Sequence, residues 1–542
     1  GSRSFIGNRI DYGTALAGNR KIYTDKWQAF ERKVEEGGKI RSLVARERAQ
    51  EQFLRGDVQG AVDLWLAAIR HLPGDHRAYH EMADGLIRAK RFRDALDVLN
   101  EVPAGPASAE RLVLEGRCRE GLDELDAAEK MAVEALSARA DSPSALNLRG
   151  VVAFRRGAAG EARSFFGKAS EADPSWGEPV TNLGVLTWAD GRHGEAFNLL
   201  EKGFILTPCD SDLAERYHAA ASSLGLQARA EKAFREARSL YPASRTIAFL
   251  LIDLLIAQEK HAEAMAEIEA AMAAFEVDGG FIDAALEVRR RLGPMAIGDK
   301  TPGPTLSLCM IVRNEQSNLV RCLSSVKAAV DEIVVVDTGS TDRTKDLAAV
   351  FGARVFDFAW TDDFSSARNE SLARAKGDWI LVLDADETLS PADHRKLREL
   401  IRKSPKRTGG YDLATRNYVI EANTAGWTAN DGSYPGEEAG TGWYANRKVR
   451  LFRNDPRIRF SGAVHELVEA SMLEAGMKIA ACDIPVHHTG KLDRARVTEK
   501  GERYFELGMK KIEETGGTPR AVLELAVQAG ELGRWDDAVD LW

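Results

Sequence analysis

Cysteine is scarce in this chain and follows no pairing pattern. Five thiols (Cys118, Cys209, Cys309, Cys322 and Cys482) are scattered over 542 residues with no CxxC spacing. An odd, dispersed set argues against a disulfide frame or a zinc site and fits small apolar roles in a reducing compartment. Long apolar runs are missing as well. The longest obvious one, Ile247 to Ala257, is broken by Asp253, so nothing reads as a membrane span. There is no basic excess: 74 Lys and Arg stand against 83 Asp and Glu, a net charge of −9. That balance argues against a broad nucleic-acid surface. No signal peptide is legible, the leading Gly1-Ser2 has the look of a cloning scar, and a cytoplasmic location is expected. The chain is too long for one ordinary core, so two or three domains are expected.

The first thing present is a repeat. Alanine recurs at Ala61, Ala95, Ala128, Ala162, Ala196, Ala230 and Ala264, in steps of 34, 33, 34, 34, 34 and 34 residues. Pro73, Pro174, Pro208 and Pro242 keep step with most of them. Twelve positions before the first five alanines stands a small residue: Ala49, Ala83, Gly116, Gly150 and Gly184; the last two units have His218 and Ile252 there. Small residues let paired helices approach, Trp65, Phe166, Phe204 and Phe234 fill the gap to the next pair, and proline stops each second helix. The period resembles the tetratricopeptide repeat, a helix–turn–helix unit. The resemblance implies a superhelix with a concave groove for an extended peptide or another protein. The alternative is a spacer that only supports the second half.

After about residue 297 the pattern changes. Strands are expected at Leu306 to Val312, Ile333 to Val336, Arg354 to Phe358 and Trp379 to Leu383. Helices are expected between them, at Ser317 to Ala328, Thr341 to Phe351 and Phe364 to Ala375. Such alternation predicts a parallel sheet with helices on both faces. No GxGxxG follows the first strand, and no P-loop is present. Polar side chains instead end successive strands: Arg313, Asn314 and Glu315; then Asp337 to Asp342; then Asp384 and Asp386. Trp379-Ile380-Leu381-Val382-Leu383 reads as a strand buried on both faces and runs straight into Asp384-Ala385-Asp386-Glu387. Paired carboxylates at such an edge suit Mg or Mn and, through it, a diphosphate; taken singly, each group could be an ordinary solvated turn.

Leu-Cys-Met-Ile-Val-Arg-Asn-Glu, Val-Val-Val-Asp-Thr-Gly-Ser-Thr-Asp, Phe-Ser-Ser-Ala-Arg-Asn-Glu and Leu-Asp-Ala-Asp-Glu occur in order between about Leu306 and Glu387. Together they resemble the inverting GT-A glycosyltransferases of family 2. The resemblance implies a nucleotide-sugar donor, most often a UDP-sugar, and a divalent metal. It puts Ile311 and Arg313 beside the base, Glu315 and Asp337 near base or ribose, and Arg368 and Asn369 towards the donor. Asp384, with Ala385 next to it, falls near the ribose, and Asp386 holds the metal. Many members carry a second acid where this chain has Thr338, whose hydroxyl can still bond a uracil.

Downstream, Tyr411 to Val419 and Lys448 to Phe452 read as strands. Glu421 to Asn446 reads as a long loop, where Trp427, Trp443 and Tyr444 either stack on a sugar or pack the loop down. Arg457 to Phe460 reads as strand-like. His488, with His487 in reserve, is the expected completion of the metal shell. Glu466 is the expected general base, with Asp431, Glu437 and Glu438 as rivals.

The expected fold is α + α/β. A polar extension (1–41) precedes a tetratricopeptide array (42–297), a linker (298–304), a Rossmann-like GT-A domain (305–491) and further repeat-like helices (492–542). The last repeat is cut at Trp542, so the native chain is expected to run on. The expected activity is sugar transfer to Ser or Thr of a protein acceptor, as in bacterial flagellin glycosyltransferases. A saccharide or lipid-carrier acceptor, or an inactive scaffold, are the alternatives.

Overall fold

The computed structural model describes residues 38–103, 108–295, 303–420, 422, 426–462 and 466–492, then 502, 505–506, 508–509, 512 and 519–541. The expectations for most of the polar extension, for the linker up to 302 and for His465 lie outside the described residues. The chain divides into two compact units, 1–260 and 261–542.

The first unit is a run of helix pairs. They are α1 (Gly38–Leu54) with α2 (Val58–His71), α3 (His76–Arg88) with α4 (Phe92–Asn100), α5 (Ala109–Gly121) with α6 (Leu125–Ala138), and α7 (Pro143–Arg155) with α8 (Ala159–Ala172). Then come α9 (Gly177–Ala189) with α10 (His193–Leu206), α11 (Ser211–Leu224) with α12 (Gln227–Leu240), and α13 (Arg245–Ala257). First helices of pairs start on polar caps: Asp75, Ser108, Ser142, Asp210 and Ser244 each accept a backbone amide of the first turn. The periodic alanines of this unit, Ala61 through Ala230, have no exposed surface. A Cβ on Gly116 would stand 2.5 Å from Leu148 of the next pair, and one on Gly150 2.5 Å from Phe166 of its partner helix, so these positions admit no larger side chain without a shift. Each proline falls two residues past its helix, as at Leu240 and Pro242.

The turn inside each pair shows a second period, which sequence reading missed. Positive φ recurs at Gly56, Lys90, Asp123, Gly157, Gly191, Gly225 and Glu259, always five residues before the periodic alanine. Four glycines take this left-handed conformation without cost. Lys90, Asp123 and Glu259 take it with a Cβ, at about 1 kcal/mol each.

The second unit opens with α14 (His261–Ala274) and α15 (Gly279–Leu292). This pair docks on the sheet domain through Arg289, which donates to the Val350 carbonyl at 2.8 Å and pairs with Glu269 at 2.8 Å. The domain's elements run β1 (Leu306–Val312), α16 (Gln316–Val326), β2 (Glu332–Asp337), α17 (Thr344–Val350), β3 (Arg354–Asp357), α18 (Phe364–Arg374) and β4 (Trp379–Val382). They continue with β5 (Glu387–Thr388), α19 (His394–Lys403), β6 (Thr408–Val419), β7 (Thr428–Ala429), β8 (Gly442–Arg453), α20 (Glu469–Glu474), β9 (Lys478–Ala481) and β10 (Val486–His488). The sheet order is β3-β2-β1-β4-β8-β6-β10-β5. Strands β1 to β4 pair in parallel as expected, but β8 runs antiparallel to both β4 and β6, so the sheet is mixed. One face packs Cys309, Val334, Ile380, Val382 and Phe452 against Ile458, Phe460 and Met472.

Three local expectations shift. Helix α17 starts at Thr344 instead of Thr341, because Asp337 and Asp342 take the amides of Gly339, Ser340 and Thr344 in the loop before it. Trp443 and Tyr444 lie on β8, which begins at Gly442, and not in a loop. Residues 457–460 form no strand; the Phe460 amide and carbonyl are engaged by the side chain of Asn369. At the end of the described residues, α21 (Pro519–Glu531) and α22 (Trp535–Leu541) pack Leu525, Ala529 and Ala538 on Phe505, and Ala526 and Ala538 are both buried.

Candidate active site

Strands β2, β1 and β4 are neighbours and parallel, so their C-terminal ends fall on one edge of the sheet. The last β1–β2 pair is Val312 with Asp337. On the other side Cys309 pairs with Val382, two residues short of Asp384. This is the edge at which open α/β sheets bind ligands.

At the β1 and β2 ends, two loops brace each other. Asn314, left-handed at φ 53°, accepts the Thr341 amide at 2.8 Å, and the Gln316 amide bonds Asp342. Asp337 is 1% exposed. Its Oδ1 accepts the Gly339 and Ser340 amides at 3.0 and 2.8 Å, while its buried Oδ2 has no partner among the described residues. Such an oxygen is costly unless a ligand donor meets it. Thr338 donates its hydroxyl to the Val312 carbonyl at 3.2 Å. Glu315 is buried and takes the Asn318 amide, Ile311 is half-buried, and Arg313 is exposed.

The β4 end is built from opposed charges. Arg368, on α18, donates from Nη2 to Asp384 at 2.7 Å and from Nε to Glu466 at 2.6 Å. Arg450, bulged on β8 opposite Tyr411 and Asp412, pairs with Glu387 at 2.5 Å and lies 3.9 Å from Asp384. Burial pushes the Asp384 carboxyl up, but Arg368 and Arg450 outweigh it and hold its pKa far below the usual range. Burial raises Glu387 despite Arg450. Glu387 also closes the turn, accepting the Asp384 amide at 2.9 Å. Ala385 is buried between the two acids. Asn369 has both ends of its amide on the Phe460 backbone. These bonds hold Phe460 against α18.

Asp386 faces His488, with Nε2 3.5 Å from Oδ2. Nδ1 of His488 meets Asn417 Oδ1 at 2.8 Å. The Asn417 amide nitrogen donates to the Thr415 and Tyr444 carbonyls, which orients its oxygen as an acceptor. Nδ1 therefore carries a proton for Asn417, and Nε2 faces Asp386, as a donor when the ring is protonated and with a lone pair free for a cation when it is neutral. Burial alone would lower the His488 pKa; Asp386, Glu387 and Asp384 outweigh it and raise it. A cation between these two groups satisfies both. Gly490 keeps that space open: a Cβ there would collide with the Asp386 carboxylate and stand 2.7 Å from His488 Nε2. This pair offers a divalent cation one oxygen and one imidazole nitrogen; among the described residues no group of three or more His, Cys, Asp or Glu side chains gathers to hold one.

His487 points to the other face of the β5–β10 pair. Its Nδ1 shares a hydrogen bond with the Tyr418 hydroxyl at 2.9 Å, and burial drives its pKa down to about 4, as suits a neutral core histidine. A cavity of about 440 Å³ beside Val320, Arg321, Thr388 and Glu437 includes Thr388, the residue paired with His487. Glu437 is engaged by Thr388 and lies 3.7 Å from Arg321. The residues that sequence reading left unassigned are Arg450, Asn417 and Gly490. Arg450 and Asn417 lie in segments with no motif around them, while Gly490 follows His488 by two residues and could have been found with it.

Comparisons with known proteins give the class. The family model described as Glycosyl transferase family 2 matches residues 307–465. A TPR repeat-containing protein of Synechococcus elongatus is 41% identical over 201 residues, 36% of this chain and 44% of that one. The SPbeta prophage-derived glycosyltransferase SunS of Bacillus subtilis is 30% identical over 170 residues, 31% of this chain and 36% of that one. The chain spans less than half the length of these curated relatives. Among solved structures, Pseudomonas aeruginosa pilF is 17% identical, covering 34% of this chain and 84% of that one, with TM-score 0.28. A Thermus thermophilus TPR protein is 19% identical, covering 33% and 98%, with TM-score 0.29. The chain therefore carries a family 2 glycosyltransferase domain in its second half, preceded by tetratricopeptide-like helix pairs. Among the described residues no helix is long and apolar enough to cross a membrane.

Proposed function

We propose that this protein is a metal-dependent inverting glycosyltransferase. Its donor is a nucleotide sugar, a UDP-sugar such as UDP-GlcNAc, and its acceptor is a Ser or Thr hydroxyl of a cytoplasmic, flagellin-like protein held by the helix-pair array. The observation that supports it most is the convergence of Asp337, Asp384 and the Asp386–His488 pair on one sheet edge.

In this reading the buried free oxygen of Asp337 accepts from the nucleoside, with Ile311, Arg313, Glu315 and Thr338 around the base. Asp384, kept ionised by Arg368 and Arg450, accepts from ribose hydroxyls. Asp386 and His488 would hold Mn or Mg, which when bound neutralises the diphosphate. Glu466 takes the acceptor's hydroxyl proton as the oxygen bonds the anomeric carbon. The bond from that carbon to the diphosphate breaks on the opposite face, and the nucleotide leaves with the electron pair. The products are the inverted glycoside, free nucleotide and a protonated Glu466.

The test is hydrolysis of UDP-GlcNAc and related donors with and without Mn, followed by mass spectrometry of candidate acceptors. Nucleotide release that needs Mn and is lost in E466Q supports the reading. Release that E466Q retains removes Glu466 as base, and no binding of any nucleotide sugar ends the enzyme reading. Failure of residues 42–275 to retain an acceptor that the whole chain glycosylates would remove the array from acceptor binding.

A further inference from the structure

One guanidinium touches both halves of the charged site. Arg368 reaches Asp384 with Nη2 and Glu466 with Nε, at 2.7 and 2.6 Å, and lies 5.5 Å over the Phe460 ring. Its neighbours on α18 hold the same segment: Ser365 donates to the Gly462 carbonyl, and Asn369 clamps the Phe460 backbone from both sides. Residues 365, 368 and 369 share one helix face. Three side chains of one turn thus hold Phe460, Gly462 and Glu466, although these lie about ninety residues further along the chain.

We propose that Arg368 is the positioning residue of the reaction's base. Its guanidinium fixes where the Glu466 carboxylate stands and, through Asp384, ties it to the donor end of the site. This rests on Glu466 being the base. The charged groups that line the cleft with Glu466 are Arg368 on α18, Asp384 after β4, Lys448 and Arg450 on β8, and Glu469 on α20. Arg450 is engaged by the buried Glu387, Lys448 is exposed, and Glu469 Oε2 is buried without a partner. Arg368 is the cation in contact with Glu466. Without it, the Glu466 carboxylate loses the one cation hydrogen-bonded to it among the described residues and shares the cleft with Asp384 and Glu469. The planar fork matters as well as the charge. It meets two carboxylates from fixed directions, which a lysine ammonium on a flexible stem cannot do.

The experiment compares wild type, R368Q, R368K and E466Q by two readouts. The first is the pH profile of UDP-GlcNAc hydrolysis with Mn. The second needs no donor: carbodiimide-dependent amine labelling of Glu466, followed by peptide mass spectrometry as a function of pH. R368Q is expected to move the acid limb, and the pH at which Glu466 labels, up by about one unit or more. R368K should keep both within a few tenths of a unit of wild type, with turnover down about tenfold or more and donor KM little changed. If R368Q does not fold, as judged by circular dichroism, R368K carries the test: wild-type turnover in it overturns the proposal. An unmoved labelling pH in folded R368Q also overturns it. Full activity in E466Q instead sinks the base assignment, and the labelling series still reports whether Arg368 governs that carboxylate.

Discussion

Asn417 decides which nitrogen His488 offers to Asp386. With Nδ1 held at 2.8 Å by the amide oxygen, Nε2 is the atom that faces the carboxylate at 3.5 Å. An outer partner that sets a tautomer in this way contributes to metal affinity without touching the metal. Asp386→Ala is expected to abolish Mn-stimulated donor hydrolysis and leave the fold intact. Asn417→Ala is expected to raise the Mn concentration for half-maximal activity by about 10- to 100-fold. Calorimetric titration with Mn and UDP checks both; unchanged Mn dependence in Asp386→Ala would retire the metal assignment.

Gly490 offers a sharper probe of the same space. A methyl group there occupies the gap between Asp386 and His488. Gly490→Ala should remove Mn binding while the thermal midpoint without Mn stays within about 2 °C of wild type. Retained Mn binding would show that the cradle is not where the cation sits.

Asp337 uses the two oxygens of its carboxylate differently. Oδ1 caps the Gly339 and Ser340 amides and Oδ2 is free. Asp337→Asn keeps the acceptor for the turn and removes the charge, so donor KM and the UDP inhibition constant should rise about tenfold with little change in stability. Asp337→Ala should also lower stability, by about 1–2 kcal/mol. Equal donor KM in wild type and Asp337→Asn would exclude the free oxygen from nucleotide contact.

Glu231 makes the helix-pair unit pH-dependent. It is 7% exposed and accepts from Arg235, Gln258 and Lys260 at 2.9, 2.9 and 2.6 Å. Burial raises its carboxyl, but these donors outweigh it and the net shift is downward. A carboxylate depressed in the folded state adds stability above its unfolded value, about 4.3, and loses it as pH falls through the folded value. Glu231→Gln is expected to cost about 1–3 kcal/mol at pH 7. That difference should shrink towards zero below about pH 4 in urea melts of the full chain. A constant difference across pH would contradict the assignment.

The left-handed turns allow stabilisation by design. Lys90, Asp123 and Glu259 hold positive φ where four other pairs use glycine. Glu259→Gly and Lys90→Gly should each add about 0.5–1 kcal/mol, since relief of Cβ strain exceeds the entropy that glycine adds to the unfolded chain. Thermal melts of the single and double variants check the sign.

Much of this was legible in sequence because it is periodic. The alanines at 34-residue steps mark buried contacts, since a helix pair admits only a small side chain where its axes approach. The run from Trp379 to Leu383 marked an inner strand, since strands covered on both faces carry no polar alternation. The left-handed turn residues share that period but not an identity. Lysine, aspartate and glutamate stand where glycine does elsewhere, so the signal is in φ and not in residue type. The antiparallel course of β8 was hidden for a different reason. Its partners β4 and β6 are separate in sequence, and strand direction follows from chain path, which no local pattern records.

What the chain's order of residues determined by itself is where the acids fall: Asp337, Asp384 and Asp386 end strands whose apolar runs must be buried, so hydrophobic burial carries them to one edge. What only the tertiary structure decided is how those charges are answered. Arg368 and Arg450 reach Asp384 and Glu387, Asn417 reaches His488, and Gly490 leaves room beside Asp386, each from another part of the chain. Side-chain pairing acts through space, over a few ångströms, and is blind to separation along the backbone.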